Sequence, residues 1–180
     1  MGYIGGFDQF VLGLVQGLPA GLRSVMVFIT HAGSPPVFVV LLLGITAVAY
    51  KRKMKQLLVT SVFVLMTLPL ASILKTVTHR LRPDTPYVQS MLLKTYSFPS
   101  GHAYISLVVG GFMAYLAWRY LGNAWRWPVI SGLVLLIFLV GLSRVYLGAH
   151  FPSDVLGGWL LGLMVLVFIR FALVSRLLRS

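Results

Sequence analysis

Five stretches of this chain, residues 34–50, 57–78, 102–120, 127–142 and 154–174, are overwhelmingly apolar and carry no internal charge pair. That restricts the fold severely. A backbone in lipid must satisfy its own N–H and C=O groups, and runs of about twenty apolar residues without strict alternation do so as membrane-spanning helices. The chain is therefore expected to be all-α, a polytopic transmembrane helix bundle with five clear spans, forming a single domain over residues 1–180. Pro69 predicts a kink in the second span. The N-terminal 33 residues differ, because the apolar stretch 7–30 is interrupted by Gly17, Pro19, Gly21 and Arg23. A helix broken in this way needs neighbours to cover it, so two short interfacial helices are expected in preference to a sixth span. With no basic region ahead of that stretch, a cleaved signal peptide is not expected.

Composition agrees with a bilayer protein: 58% of residues are hydrophobic and only 10% charged, with a mean hydropathy of +0.92. Lys and Arg number 15 against three acidic residues, Asp8, Asp84 and Asp154, for a net charge of +12. These cations flank the apolar runs, where anionic lipid headgroups would meet them, and form neither the basic stripe nor the stacking platform of a nucleic-acid site. Their distribution also orients the chain. Lys51, Arg52, Lys53 and Lys55, then Arg119 and Arg126, then Arg170, Arg176 and Arg179 fall on one side, which the positive-inside rule makes cytoplasmic. The opposite side, expected to be extracytoplasmic, receives residues 75–99 and 143–153. Cysteine is absent, so helix packing alone must hold the bundle. Two glycine spacings, Gly13/Gly17 and Gly158/Gly162, fit close helix approach and are read as intramolecular packing.

Three short segments place ionisable groups at the outer ends of these runs: Lys75-x6-Arg82-Pro83, Pro99-Ser100-Gly101-His102, and Ser143-Arg144-x5-His150-x3-Asp154. A phosphomonoester carries close to two negative charges. Lys75, Arg82 and Arg144 could supply three fixed cations for it, the arginines as planar forks and the lysine as a point charge. Ser100 stands where a helix N-cap belongs, and Gly101 leaves backbone N–H groups and a positive helix end open to phosphate oxygens. His150 and Asp154, four apart with Pro152 between them, suit the first turn of a helix in which the carboxylate fixes the imidazole tautomer.

The three segments, with their internal spacings and order, resemble the three-part signature of the PAP2 (type-2 phosphatidic acid phosphatase) family, across residues 75–154. The resemblance implies a membrane lipid phosphatase with His150 as the nucleophile that becomes phosphohistidine, Asp154 as its orienting partner, and His102 as general acid and then base. It implies that Lys75, Arg82, Ser100, Gly101 and Arg144 hold the phosphoryl oxygens. No cofactor is expected. The outer carboxylates and histidines are too few for a two-metal phosphatase site, so the cations are expected to take the metal's part. The expected partners are a phosphorylated lipid and the bilayer, and the expected location is a bacterial inner membrane with the site facing outward. Phosphatidylglycerophosphate, phosphatidic acid, undecaprenyl pyrophosphate and a lipid A phosphate all fit the family. The prenyl-pyrophosphate branch often has Asp where this chain has Gly101, which argues against that substrate. Phosphoryl transfer to another acceptor and non-catalytic anion transport are the alternative activities. His79, Arg80, Asp84 and Lys94 are read as solvated loop charges, and His31 has no partner that the sequence identifies.

Overall fold

The computed structural model describes residues 5–91 and 95–177, with side chains described through Ala172. Lys94 and Arg179 lie outside the described residues, as does the Arg176 side chain. The chain forms α1 (Gly6–Gln16), a single 3-10 turn (Ala20–Leu22), α2 (Arg23–Ala32), α3 (Pro35–Lys51), α4 (Lys55–Thr67), α5 (Leu70–Thr78), a short α6 (Pro86–Ser90), α7 (Gly101–Tyr120), α8 (Asn123–Tyr146) and α9 (Pro152–Leu177). Five segments are long and apolar enough to cross a membrane: Ala20–Lys51, Lys55–Thr78, Gly101–Tyr120, Asn123–Tyr146 and Pro152–Ala172. The all-helical bundle expected from the apolar runs is what forms, and the fourth span is longer by about a turn at each end.

Pro69 divides the second span. It follows α4 and stands at the N-cap of α5, since its ring and missing N–H cannot continue a helix. A break of this kind strands carbonyls in an apolar setting. The hydroxyl of Tyr104, fully buried on α7, donates to the carbonyl of Thr67 at 2.7 Å and satisfies one of them.

At the centre stands α7, packed against α8, α9 and α3. Its buried residues include Tyr104, Val108, Val109 and Phe112, which meet Phe38 and Leu42 of α3, Val64 of α4 and Val165 of α9 in one core. Small residues bring the helices close. A methyl group added to Gly158 of α9 would lie 2.6 Å from the carbonyl oxygen of Ser100, and one on Gly162 would lie 3.1 Å from Leu107, so this glycine pair serves packing within the molecule. Gly13 differs from the expectation, because an added methyl there would meet nothing within 4 Å.

The N-terminal region is two short helices, as its broken pattern suggests. With 11 residues α1 is about 16 Å long, roughly half the hydrocarbon thickness. Neither helix lies loosely on the surface. The pair packs against α8 and α9, and Gly33 at the end of α2 approaches the side chain of Val140 too closely for any Cβ. Asp8 and Thr30, polar residues in these two helices, are 3% and 2% exposed.

Candidate active site

The three segments converge at one end of the bundle, where α5 and α8 finish and α7 and α9 begin. His150 lies in the turn between α8 and α9, where Gly148 adopts a φ of +69° that favours glycine. The following helix opens with Pro152, and Asp154 in its first turn accepts a hydrogen bond from the backbone N–H of Phe151 at 2.9 Å. That bond closes the helix start and points the carboxylate at the imidazole.

The ring orientation follows from its contacts. Arg82 Nη1 lies 3.1 Å from His150 Nε2, and a guanidinium nitrogen can only donate, so Nε2 is the accepting nitrogen and Nδ1 carries the proton. Nδ1 faces Ser97 Oγ at 3.3 Å and Asp154 Oδ2 at 3.5 Å. The direct imidazole–carboxylate contact expected from the i, i+4 spacing is therefore long. Ser97, fully buried, bridges it by donating its own hydroxyl to Asp154 Oδ2 in a short hydrogen bond. His150 is 2% exposed, and burial, reinforced by repulsion from Arg82, Arg144 and Lys75 and opposed by the bond to Asp154, lowers its pKa to about 3. The imidazole is neutral at physiological pH, with an unprotonated Nε2 whose electron pair faces the Arg82 guanidinium.

Three cations act on that imidazole, Arg82 in direct contact and Arg144 and Lys75 through their charge. Arg82 is fixed by the Thr95 carbonyl and hydroxyl at 2.8 and 2.9 Å and by the Ala149 carbonyl at 2.9 Å. Its pKa falls to about 10, through burial and then repulsion by Arg144, with Asp154 opposing. Lys75 Nζ donates to the carbonyls of Tyr96 and Ser97 at 2.8 and 2.9 Å. Arg144, 4% exposed, donates from Nη1 to Thr30 Oγ1 at 2.7 Å and lies 5.8 Å from the ring of Tyr87. Among the described residues, none of the three has a carboxylate within ion-pair distance. Among the described residues, two buried polar atoms at this end are also left without a hydrogen-bond partner, Ser100 Oγ and Arg144 Nε.

Ser100 occupies the N-cap position of α7 without capping it through its side chain, a departure from the sequence expectation. Its backbone N–H is engaged by the Asp154 carbonyl at 2.9 Å, while its hydroxyl stays available. A Cβ added to Gly101 would meet only open space. His102, in the first turn of α7, has Arg144, His150, Arg82 and Lys75 as its electrostatic neighbours. All eight residues singled out from the sequence are thus gathered at this end.

Several groups of the site were not legible in the motifs. Arg80, expected to be a solvated loop charge, instead donates to Asp154 Oδ1 at 2.8 Å and to Asp8 Oδ2 at 2.7 Å. Asp8, Thr30, Thr95 and Ser97 complete the set. One signal could have exposed Asp8: it is one of three acidic residues in the chain and stands in an apolar segment, where an ionised group requires a partner. Of the other loop residues, His79 and Asp84 conform to the expectation. His79 is exposed with its ring edge-on to Tyr96, and exposed Asp84 accepts from Gln89 at 2.8 Å. His31, likewise exposed, is hydrogen-bonded to the Val27 carbonyl of its own helix at 2.7 Å.

The profile of the PAP2 superfamily matches residues 56–176. The chain belongs to the PAP2 superfamily. Phosphatidylglycerophosphatase B of Bacillus subtilis is 35% identical over 156 residues, which cover 83% of this chain and 74% of that protein. Undecaprenyl-diphosphatase of Sulfolobus acidocaldarius is 34% identical over 149 residues, covering 79% and 66%. The crystal structure of the transmembrane PAP2-type phosphatidylglycerolphosphate phosphatase from Bacillus subtilis superimposes with a TM-score of 0.78 at 31% identity, over 91% of this chain and 83% of that one. By family, the chain is an integral membrane lipid phosphatase, a hydrolase of phosphate esters. The PAP2 match begins in α4 and runs into α9, so α1 and α2, which supply Asp8 and Thr30, lie outside it.

Proposed function

We propose that this PAP2 protein removes the terminal phosphate of a membrane lipid through a phosphohistidine on Nε2 of His150, at the extracytoplasmic surface of a bacterial inner membrane. The observation that carries the reading is the set of three cations, Lys75, Arg82 and Arg144, without carboxylate partners among the described residues, beside a neutral imidazole whose Nε2 is unprotonated and faces Arg82. Such an arrangement is electrostatically incomplete without an anion of about two charges. The orphaned Ser100 Oγ and Arg144 Nε and the open space at Gly101 suit its oxygens.

In the first step the Nε2 electron pair attacks phosphorus, the bond from phosphorus to the lipid oxygen breaks, and His102 gives that oxygen a proton. The Nδ1 proton stays between Ser97 and Asp154, and the carboxylate stabilises the ring cation formed. In the second step His102 takes a proton from water, the water oxygen attacks phosphorus, and the phosphorus–nitrogen bond breaks to release inorganic phosphate. The cations stabilise the equatorial oxygens in both steps. The substrate class follows from the relatives, which act on phosphatidylglycerophosphate and undecaprenyl diphosphate by name. A lipid monoester such as phosphatidylglycerophosphate or phosphatidic acid is the preferred reading.

Phosphate release by purified protein in nanodiscs, measured across phosphatidylglycerophosphate, phosphatidic acid, undecaprenyl pyrophosphate and a lipid A phosphate, tests the proposal. Release from at least one of them, abolished in His150→Ala, is expected. Absence of release from all four would overturn it. For orientation, Gln89→Cys should react with a membrane-impermeant maleimide in spheroplasts and Arg52→Cys should not, and the reverse pattern would place the site inside.

A further inference from the structure

The carboxylate that serves His150 is itself held by a chain of charges that reaches outside the PAP2 match. Asp154 Oδ1 accepts from Arg80 Nη1 at 2.8 Å, and Arg80 Nη2 donates to Asp8 Oδ2 at 2.7 Å. Ser153 knits the three together. Its backbone N–H donates to Asp8 Oδ1 at 2.8 Å, its hydroxyl donates to Asp8 Oδ2 at 2.7 Å, and that hydroxyl accepts from Arg80 Nη1 at 2.7 Å. The guanidinium is further confined over the ring of Phe151, 4.6 Å from its centroid.

We infer that Asp8 is a positioning residue for catalysis: by sharing Arg80 it lets Asp154 keep a net negative charge facing His150. The inference rests on His150 being the nucleophile. Arg80 alone would pair fully with Asp154 and cancel the charge that the developing imidazolium needs. With Asp8 present, two carboxylates share one guanidinium and the trio retains one negative charge. Docking of α1 does not require this. A buried ion pair is generally no better for stability than apolar residues of similar volume, and the rest of α1 is apolar apart from Gln9 and Gln16. An ionised group in such a segment points to function.

The test compares turnover of a lipid phosphate, thermal stability and phosphoenzyme formation in Asp8→Asn, Asp154→Asn and the double variant. Asp8→Asn should lower kcat by about tenfold with KM unchanged, and Asp8→Glu should recover most of the loss. In the Asp154→Asn background Asp8→Asn should have no further effect. Independent multiplication of the two losses, or full kcat in Asp8→Asn, would overturn the inference. Should Asp8→Asn fold poorly because the Asp8 end of the network loses its ion pair, Asp8→Asn/Arg80→Gln replaces that pair by neutral partners and should fold. With Asp154 no longer neutralised, it should exceed Asp8→Asn in kcat; a double variant no better than the single would also overturn the inference. Turnover retained in His150→Ala would instead defeat the nucleophile reading itself, so the two failures are distinct.

Discussion

Nε2 of His150 and Nη1 of Arg82 lie 3.1 Å apart, and because the arginine can only donate, this contact fixes the imidazole as the Nδ1–H tautomer with its electron pair on the cationic side. Arg82 is therefore more than a counter-charge, since one guanidinium spans the histidine, the Ala149 carbonyl and both oxygens of Thr95. A lysine cannot bridge these positions. Arg82→Lys should lose at least about tenfold in kcat/KM and Arg82→Ala about a hundredfold. Full activity of the lysine variant in a steady-state assay would reduce Arg82 to a point charge.

The lowered pKa of His150, about 3 against an ordinary 6.5, makes stability depend on pH with a definite sign. Between those values the unfolded chain binds a proton that the folded site refuses, so stability is fully present above about pH 6.5 and declines as pH falls toward 3. The ring faces Arg82, Ser97 and Asp154 directly, with Lys75, Arg144 and His102 as further charged or titratable neighbours. In thermal melts from pH 7 to pH 5, His150→Gln should lose less Tm than the parent protein. Parallel curves would show that burial does not hold this imidazole neutral.

Ser97 and Asp154 should fail in the same way. Each contacts Nδ1, so Ser97→Ala and Asp154→Asn should both lower kcat by about tenfold or more while leaving inhibition by inorganic phosphate nearly unchanged. Weakened phosphate inhibition with normal kcat in either variant would move that residue to the binding side of the site.

Activity should withstand EDTA and be inhibited by vanadate, which can mimic five-coordinate phosphorus among cations and a histidine. Loss on chelation with recovery on adding Mg2+ would show that a metal shares the charge stabilisation assigned to Lys75, Arg82 and Arg144.

The two histidines are separable through the leaving group. A lipid oxygen needs protonation to depart whereas a nitrophenolate needs little help, so His102→Ala should retain a larger fraction of first-step activity on a nitrophenyl phosphate than on a lipid phosphate. His150→Ala should be inactive with both. A stoichiometric burst from His150→Ala would show that the nucleophile lies elsewhere.

The sequence by itself determined the bundle, the break at Pro69 and the eight residues of the motifs, because these are written in short-range patterns. A run of apolar residues dictates a lipid-spanning helix wherever it packs, and His150 and Asp154 share one helix start through four-residue spacing. What only the tertiary structure decided is how the charges are paired. Arg80 lies 72 residues from Asp8, and Arg144 lies 114 from Thr30, and no local periodicity specifies which buried polar groups will meet across such distances. Ser97 was equally hidden, since its hydroxyl gains its role only when the loop before α7 is laid across the start of α9. The two N-terminal helices show the difference most clearly. Their broken pattern predicts short helices, but their place against α8 and α9 is set by close packing between residues far apart in sequence, such as Gly33 on Val140. It is this placement that decides which polar groups Asp8 and Thr30 meet, since polar groups buried there must be paired.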